Sequence, residues 1–356
     1  MTLTKRRLFL LLLAGLGFAV GIGLLVDAFR KPPVAVNGRT LTEWLADLDA
    51  SDEKTRIAAE QAVTLAGTDA VQTLRDILNR KDPLLLSAYR KIGPQLPRWA
   101  QRQLHLLIKP ADFDMHRKRA AQALGLIGPA AAPAIPDLIN ALADRGPMVR
   151  LAAVHALSRM GKDALPPLAR ALKTAPQDAR LHILSILAEH GTETELPLPD
   201  LLNLLATSGS DTEITATIRA LRKLDLKSLQ PLFAMLGSPD SKTRDRAKRA
   251  FASVAEANPS MPFKLAELYP DQPLPVRSAM ADVLEQSSVP RHLTGVFMLK
   301  VAADTDPRLQ QRGTEWLRQH LSLDELDRLL KTVPEPVRHQ IRASYSQSSE
   351  SGAREH

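Results

Sequence analysis

The chain has 356 residues and a formal net charge of +8, with 44% hydrophobic but only 4% aromatic residues. It contains no cysteine, which excludes disulfides, thiolate chemistry and cysteine-based zinc sites. The scarcity of aromatics disfavours the bulky centre of an ordinary globular enzyme, and abundant alanine and leucine suit close helix packing.

Met1 to Arg7 carries Lys5, Arg6 and Arg7, and the nineteen residues from Leu8 to Val26 bear no charge. As a helix rising about 1.5 Å per residue, that stretch would be roughly 28 Å long, close to the hydrocarbon thickness of a bilayer. Residues 1–7 therefore read as a basic N-terminal segment and 8–26 as a transmembrane helix. A cleaved signal peptide is the competing reading. Its apolar region usually runs about 7 to 15 residues to a small-x-small site. Ala19-Val20-Gly21 offers such a site, but five apolar residues follow it. The leading basic residues favour a cytoplasmic N-terminus and an extracytoplasmic body, while Arg30 and Lys31 on the other flank weigh against this. Gly17 and Gly21 make a GxxxG pair that would let two such helices approach closely as a homodimer. Glycine is also common in membrane spans without that role.

Residues 27–39, including Pro32-Pro33, read as a linker, with a turn at Asn37-Gly38. Thr40 and Glu43 have the spacing of a capping box, which predicts a first helix from Leu41 to about Leu48. Trp44 on that helix is expected to cover the open end of whatever follows.

From residue 40 to 345 the chain is organised by a repeat. Ala120, Leu124 and Ile127 lie on one helical face, and Gly128-Pro129 ends that helix. A second helix begins at Ile135-Pro136, where proline fits the first turn, and buries Ile135, Leu138, Ile139 and Leu142. The same register returns at Leu165, Leu198 and Leu229, at steps of 30, 33 and 31 residues, with prolines at 166, 199 and 231. Met261-Pro262 continues it in degenerate form. Independent helices would not keep this phase. One helix pair cannot bury its apolar stripe alone, so about nine pairs stacked as an all-α solenoid are predicted, preceded by the single transmembrane helix.

The pattern resembles the HEAT repeat, in the short bacterial form also seen in phycobilisome-lyase-like proteins, whose unit is similar to V-R-x-x-A-A-x-A-L-x-x-I-G followed by A-I-P-x-L. Val149 to Gly161 with Leu165-Pro166, and Arg119 to Gly128 with Ala134 to Leu138, carry the match. Gly38, Arg39, Leu41, Thr42, Trp44 and Leu45 resemble the preamble of other anchored bacterial repeat proteins. The resemblance implies a membrane-anchored solenoid. Some relatives assist bilin attachment and some HEAT folds excise DNA bases, but no particular residue here signals either activity.

Pro83 to Lys109 departs from the even spacing. Its second helix is read from Leu96 to Ile108, followed by a loop through Asp112-Phe113-Asp114. An insertion in a regular array is where a binding loop would sit, against the plainer reading of a packing adjustment. Trp99 and Arg102 there, with Asn140, Arg170 and Asn203 at solvent positions of the second helices, are the candidate partner-binding residues.

The densest basic run is Lys242, Arg244, Arg246, Lys248 and Arg249. It falls on a first helix and reads as a solvated outer face. The inner positions Asn140, Arg170, Asn203, Ala234 and Ala266 give no continuous positive track, so nucleic acid is not an expected partner. Asp52/Arg56, Asp144/Arg150, Asp240/Arg244 and Asp271/Arg277 recur near first-helix starts and are expected to form a ladder between repeats.

No catalytic or cofactor site is expected. The nine histidines lack H-x-x-x-H spacing, and Glu189-His190 with Glu193 and Glu195 is the nearest approach to a metal cluster. Residues 346–356 have too little apolar content to fold and read as a disordered tail. The functional expectation is a non-enzymatic, membrane-anchored scaffold for an unidentified protein partner. The alternatives are a bilin-lyase-like accessory subunit or enzyme, and a nucleic-acid-binding repeat protein.

Overall fold

A computed structural model describes residues 34–82, 91–95, 97–98, 101–102, 110–190, 196–222, 230–258, 260–331, 335, 338–339 and 341–342. Residues 8–26, with Gly17 and Gly21, and residues 346–356 lie outside the described residues. Among the described residues, no helix is long and apolar enough to cross a membrane.

The first described element is a small antiparallel hairpin, β1 (Ala35–Val36) with β2 (Arg39–Thr40). Asn37 and Gly38 turn it with φ of 52° and 76°, the left-handed values that a two-residue hairpin loop requires. The Thr40 backbone N–H then donates to the Glu43 carboxylate at 2.7 Å and starts α1 (Leu41–Asp47). Trp44 is buried, and its indole N–H donates to the Val36 carbonyl at 2.9 Å. Leu41 N–H also reaches the Val34 carbonyl, so the folded body begins inside the stretch that sequence reads as linker.

The next helix, α2 (Glu53–Leu78), is one helix pair in disguise. Its backbone kinks at Gly67, with φ 50° and ψ −133°. Gly128 and Gly161 take the same left-handed φ between a first helix and the short 3-10 segment leading to a second one. Glycine adopts this conformation without the Cβ clash other residues would meet.

The pairs then follow in order: α3 (Pro110–Ile127) with α4 (Ile135–Ala141), α5 (Pro147–Met160) with α6 (Leu165–Ala171), α7 (Gln177–His190) with α8 (Leu198–Thr207), and α9 (Asp211–Leu221) with α10 (Gln230–Leu236). They continue as α11 (Ser241–Ala257) with α12 (Met261–Leu268), α13 (Leu274–Gln286) with α14 (Arg291–Ala302), and α15 (Pro307–His320) with α16 (Leu323–Leu330). First helices stack on first helices from α2 through α13, and second helices pack on second helices at α4–α6, α12–α14 and α14–α16. The described residues are thus a helical solenoid of two layers.

What holds the layers together is the recurring leucine register. Leu138, Leu142, Leu168, Leu201, Leu205, Leu232 and Leu236 are fully buried, each contributing about 1.5–3 kcal/mol by removal from water. Prolines sit in the first turn of α4, α6, α8 and α12, where no intrahelical N–H is lost. Small residues set the spacing of the first-helix layer. A Cβ on Gly125 of α3 would lie 2.8 Å from the Ala156 Cα of α5.

One local expectation is corrected. Asp112-Phe113-Asp114 is not a loop but lies in the opening turns of α3. Pro110 at the helix start and Asp112 in the first turn are what favour helix there.

Candidate functional site

The second helices present a row of equivalent positions. Asn140 on α4, Arg170 on α6 and Asn203 on α8 occupy matching positions, two residues after the buried Leu138, Leu168 and Leu201, and all three are exposed. Their side chains make no hydrogen bond or ion pair among the described residues. Arg102 is exposed in a helical stretch at 101–102. Trp99 lies outside the described residues.

Around Asn140 the structure gathers groups that the sequence does not connect. A cleft of about 450 Å³ lies between the end of α2 and the end of α4. Its lining includes Asn79, Arg80, Lys81, Asn140 and Arg145. At its side is Arg117 of α3, whose side chain is 7% exposed. The Arg117 guanidinium meets Asp82 at 2.8 Å, Asp114 at 2.7 Å and Asp144 at 2.9 Å. Burial works against this charge, but hydrogen bonds to Asp144 and Asp82 raise its pKa above the usual arginine value. Arg75 of α2 binds Asp137 of α4 at 2.5 Å, and Asn79 adds a bond of 2.8 Å to the same carboxylate.

The expected Asp–Arg ladder exists with different partners. Asp144 pairs with Arg117 of the preceding pair, whereas Arg150 donates to the backbone carbonyls of Asp144 and Arg145 at 2.8 and 3.2 Å. Arg244 likewise donates to the carbonyls of Ser238 and Pro239, and Arg180 to that of Ala175. Asp52 and Asp240 cap helices instead, accepting from the N–H groups of Thr55 and Thr243 at 2.9 and 2.8 Å. Those hydrogen bonds hold both carboxyls below their ordinary pKa.

Cross-repeat ion pairs do run along the array. Arg180 of α7 binds Glu213 of α9 at 2.6 Å, and Arg277 of α13 binds Asp304 at 3.0 Å, where the carboxylate is fully buried. Tyr269 donates its hydroxyl to the same Asp304 at 2.6 Å, and burial pushes that phenol's pKa far up.

The basic run of α11 is also corrected. Arg246 donates to the carbonyls of Leu205, Ala206 and Ser208, closing the C-terminus of α8, and Lys248 pairs with Asp282 at 2.7 Å. Only Lys242 and Arg249 of the five basic residues are exposed. Long side chains that reach carbonyls of a neighbouring pair turn an apparent solvated face into interrepeat packing.

A larger groove of about 620 Å³ runs between the first helices α3 and α5, with Leu126, Met148, Leu151 and Ala152 in its lining, and contains none of the candidate residues. Among the described residues no group of three or more histidine, aspartate or glutamate side chains is placed to hold a metal. Glu193 and Glu195 lie outside the described residues.

The stacked helix pairs define an α-solenoid, and part of the chain matches a known repeat family. A family model described as HEAT repeats matches residues 103–188. A search of the curated proteins finds no match. Among solved structures, the CpcE–CpcF complex of phycocyanin lyase from Nostoc sp. PCC7120 is similar at 18% identity, covering 82% of this chain and 99% of that one, with a TM-score of 0.24. A microtubule polymerase structure containing tumor overexpressed gene domain arrays is similar at 10% identity, covering 85% and 99%, with a TM-score of 0.26. An engineered protein shows 17% identity over 78% and 94%, with a TM-score of 0.20.

Proposed function

We propose that the chain is a membrane-anchored HEAT-type solenoid that holds a protein partner along its inner row and carries out no catalysis itself. One observation carries this reading. Three successive second helices expose Asn140, Arg170 and Asn203 at matching positions, with their side-chain donors uncommitted among the described residues. A repeating row of that kind offers an elongated partner a side-chain donor at each step.

The uncharged stretch from Leu8 to Val26, behind Lys5, Arg6 and Arg7, supports the anchor. The same charges support a cytoplasmic N-terminus with the repeats on the other side, and Gly17 with Gly21 supports pairing of two anchors. The linker after residue 26 is short, so the Trp44-capped end of the array would sit nearest the bilayer.

Photoreactive side chains placed at Arg170 and Asn203, and at exposed Ser185 of outer helix α7, test this in intact membranes. The reading expects protein adducts from the two inner positions and none from Ser185. Adducts from Ser185 with none from the inner row would overturn it.

A further inference from the structure

The cleft beside Asn140 sorts its charges by depth. Asp82, Asp137 and Asp144 are only 13%, 13% and 16% exposed, and each is bound by an arginine of the array: Arg117 takes Asp82 and Asp144, and Arg75 takes Asp137. Asp82 and Asp114 carry further interactions beyond Arg117. The mouth is different. Arg80 and Lys81, in the turn after α2, and Arg145, in the turn after α4, are exposed. Their side chains form no ion pair or hydrogen bond among the described residues, and the uncommitted amide of Asn140 lies in the same lining.

We infer that this cleft receives the carboxylate side chains of an acidic segment of the partner protein, whose backbone then crosses Asn140 and reaches Arg170 one repeat further on. The inference rests on the inner row being the binding face. Arginine and lysine bind carboxylates through charge-assisted hydrogen bonds, stronger than neutral ones, and three unpaired cations around one opening are placed for two or three carboxylates. An asparagine amide both donates and accepts, which matches the alternating groups of a peptide backbone. Arg170 sits on the helix packed beside α4, about 8–10 Å away by ordinary helix spacing, the reach of roughly three extended residues.

The same features select a peptide over a nucleic acid. Tight polyanion binding needs many phosphates neutralised in series. Here three aspartates share the lining with the cations, and beyond Arg170 the row continues as uncharged Asn203 and Ala234. A short run of carboxylates held at the mouth avoids the buried aspartates, and a continuous polyanion does not.

The test uses the full chain in nanodiscs of zwitterionic lipid and a fluorescein-labelled twelve-residue peptide of alternating glutamate and glycine, read by anisotropy. Saturable binding is expected, weakened at least tenfold in the Arg80→Glu/Lys81→Glu/Arg145→Glu variant. An equal charge change on first helices, Lys54→Glu/Lys242→Glu/Arg249→Glu, is expected to leave it unchanged, and thermal melts of both variants report folding. Absence of binding, equal weakening by the two variants, or equal affinity for labelled duplex DNA would overturn the inference. If peptide binding fails while inner-row photoadducts persist, only the acidic-segment assignment falls. If both fail, the inner-row reading falls with it.

Discussion

The Arg117 guanidinium and the Asp144 carboxylate belong to consecutive helix pairs, and they meet at 2.9 Å beneath the surface. Asp82 and Asp114 complete the set, so one buried cation joins the end of α2, the body of α3 and the turn after α4. Removing one partner of a buried ion pair leaves the others uncompensated in a poorly solvated site, at a cost of about 3–5 kcal/mol. Arg117→Ala is expected to lower stability by that order in urea denaturation. A loss below 1 kcal/mol would mean that the site is hydrated and the network peripheral.

Gly125 and Gly128 lie three residues apart and are glycine for different reasons. At Gly125 the backbone of α5 stands 2.8 Å from a hypothetical Cβ, whereas at Gly128 the surrounding space is open and φ is +69°. Gly125→Val should therefore cost about 1–3 kcal/mol through overpacking, and more than Gly128→Asn, since asparagine tolerates left-handed φ. Calorimetric melts of the two variants compare them directly. Equal melting temperatures would contradict the close approach of α3 and α5.

Glu213 supplies a pH signature. Its carboxylate accepts from Arg180 at 2.6 Å and from the Ser208 hydroxyl at 2.5 Å. Burial raises its pKa, and the two hydrogen bonds outweigh that and bring it below the ordinary 4.5. A carboxyl depressed in the folded state stabilises the fold above its unfolded pKa and loses that contribution as pH falls through the folded value. Wild type should thus lose stability below about pH 4.5, and Glu213→Gln should flatten that acid limb while being less stable at pH 7. Denaturation series at pH 7, 5 and 3.5 would show parallel curves if Glu213 were not held by these bonds.

Trp44 is buried at the first described helix of the array. It is 8% exposed, hydrogen-bonded to Val36, and covered by the Arg39 guanidinium at 4.1 Å. Trp44→Ala should cost about 3–5 kcal/mol locally. Because each pair leans on its neighbours, hydrogen exchange should speed up first in α1 and α2 and little in α13 to α16. Uniform acceleration along the chain would contradict that nearest-neighbour coupling.

The solenoid was legible in sequence because its cause is periodic: the same leucines and prolines return wherever a second helix must be buried. Asn140, Arg170 and Asn203 follow from that register by counting two residues past Leu138, Leu168 and Leu201. The ion pairs do not follow. Arg117 finds a carboxylate 27 residues on and Arg180 finds one 33 residues on, and no fixed spacing separates them from the nearer Asp–Arg pairs that spend their groups on helix caps and carbonyls. The packing of Arg246 is hidden for the same reason, since the three carbonyls it binds belong to α8 and its loop, and backbone acceptors have no letter in a sequence. Arg80, Lys81 and Arg145 sit in turns, outside either helical period, so only the placement of α2 against α4 brings them to one cleft.

Stacking of the second helices from α4 to α10 can be measured between Asn140 and Ala234, three repeats apart. The chain has no cysteine, so spin labels can be introduced at these two positions alone. Stacked neighbours spaced about 8–10 Å apart give a separation of roughly 25–35 Å with the labels included, expected as one narrow population in double electron–electron resonance. A broad distribution, or a principal distance beyond roughly 50 Å, would contradict a single stacked array and with it the binding face it is proposed to form.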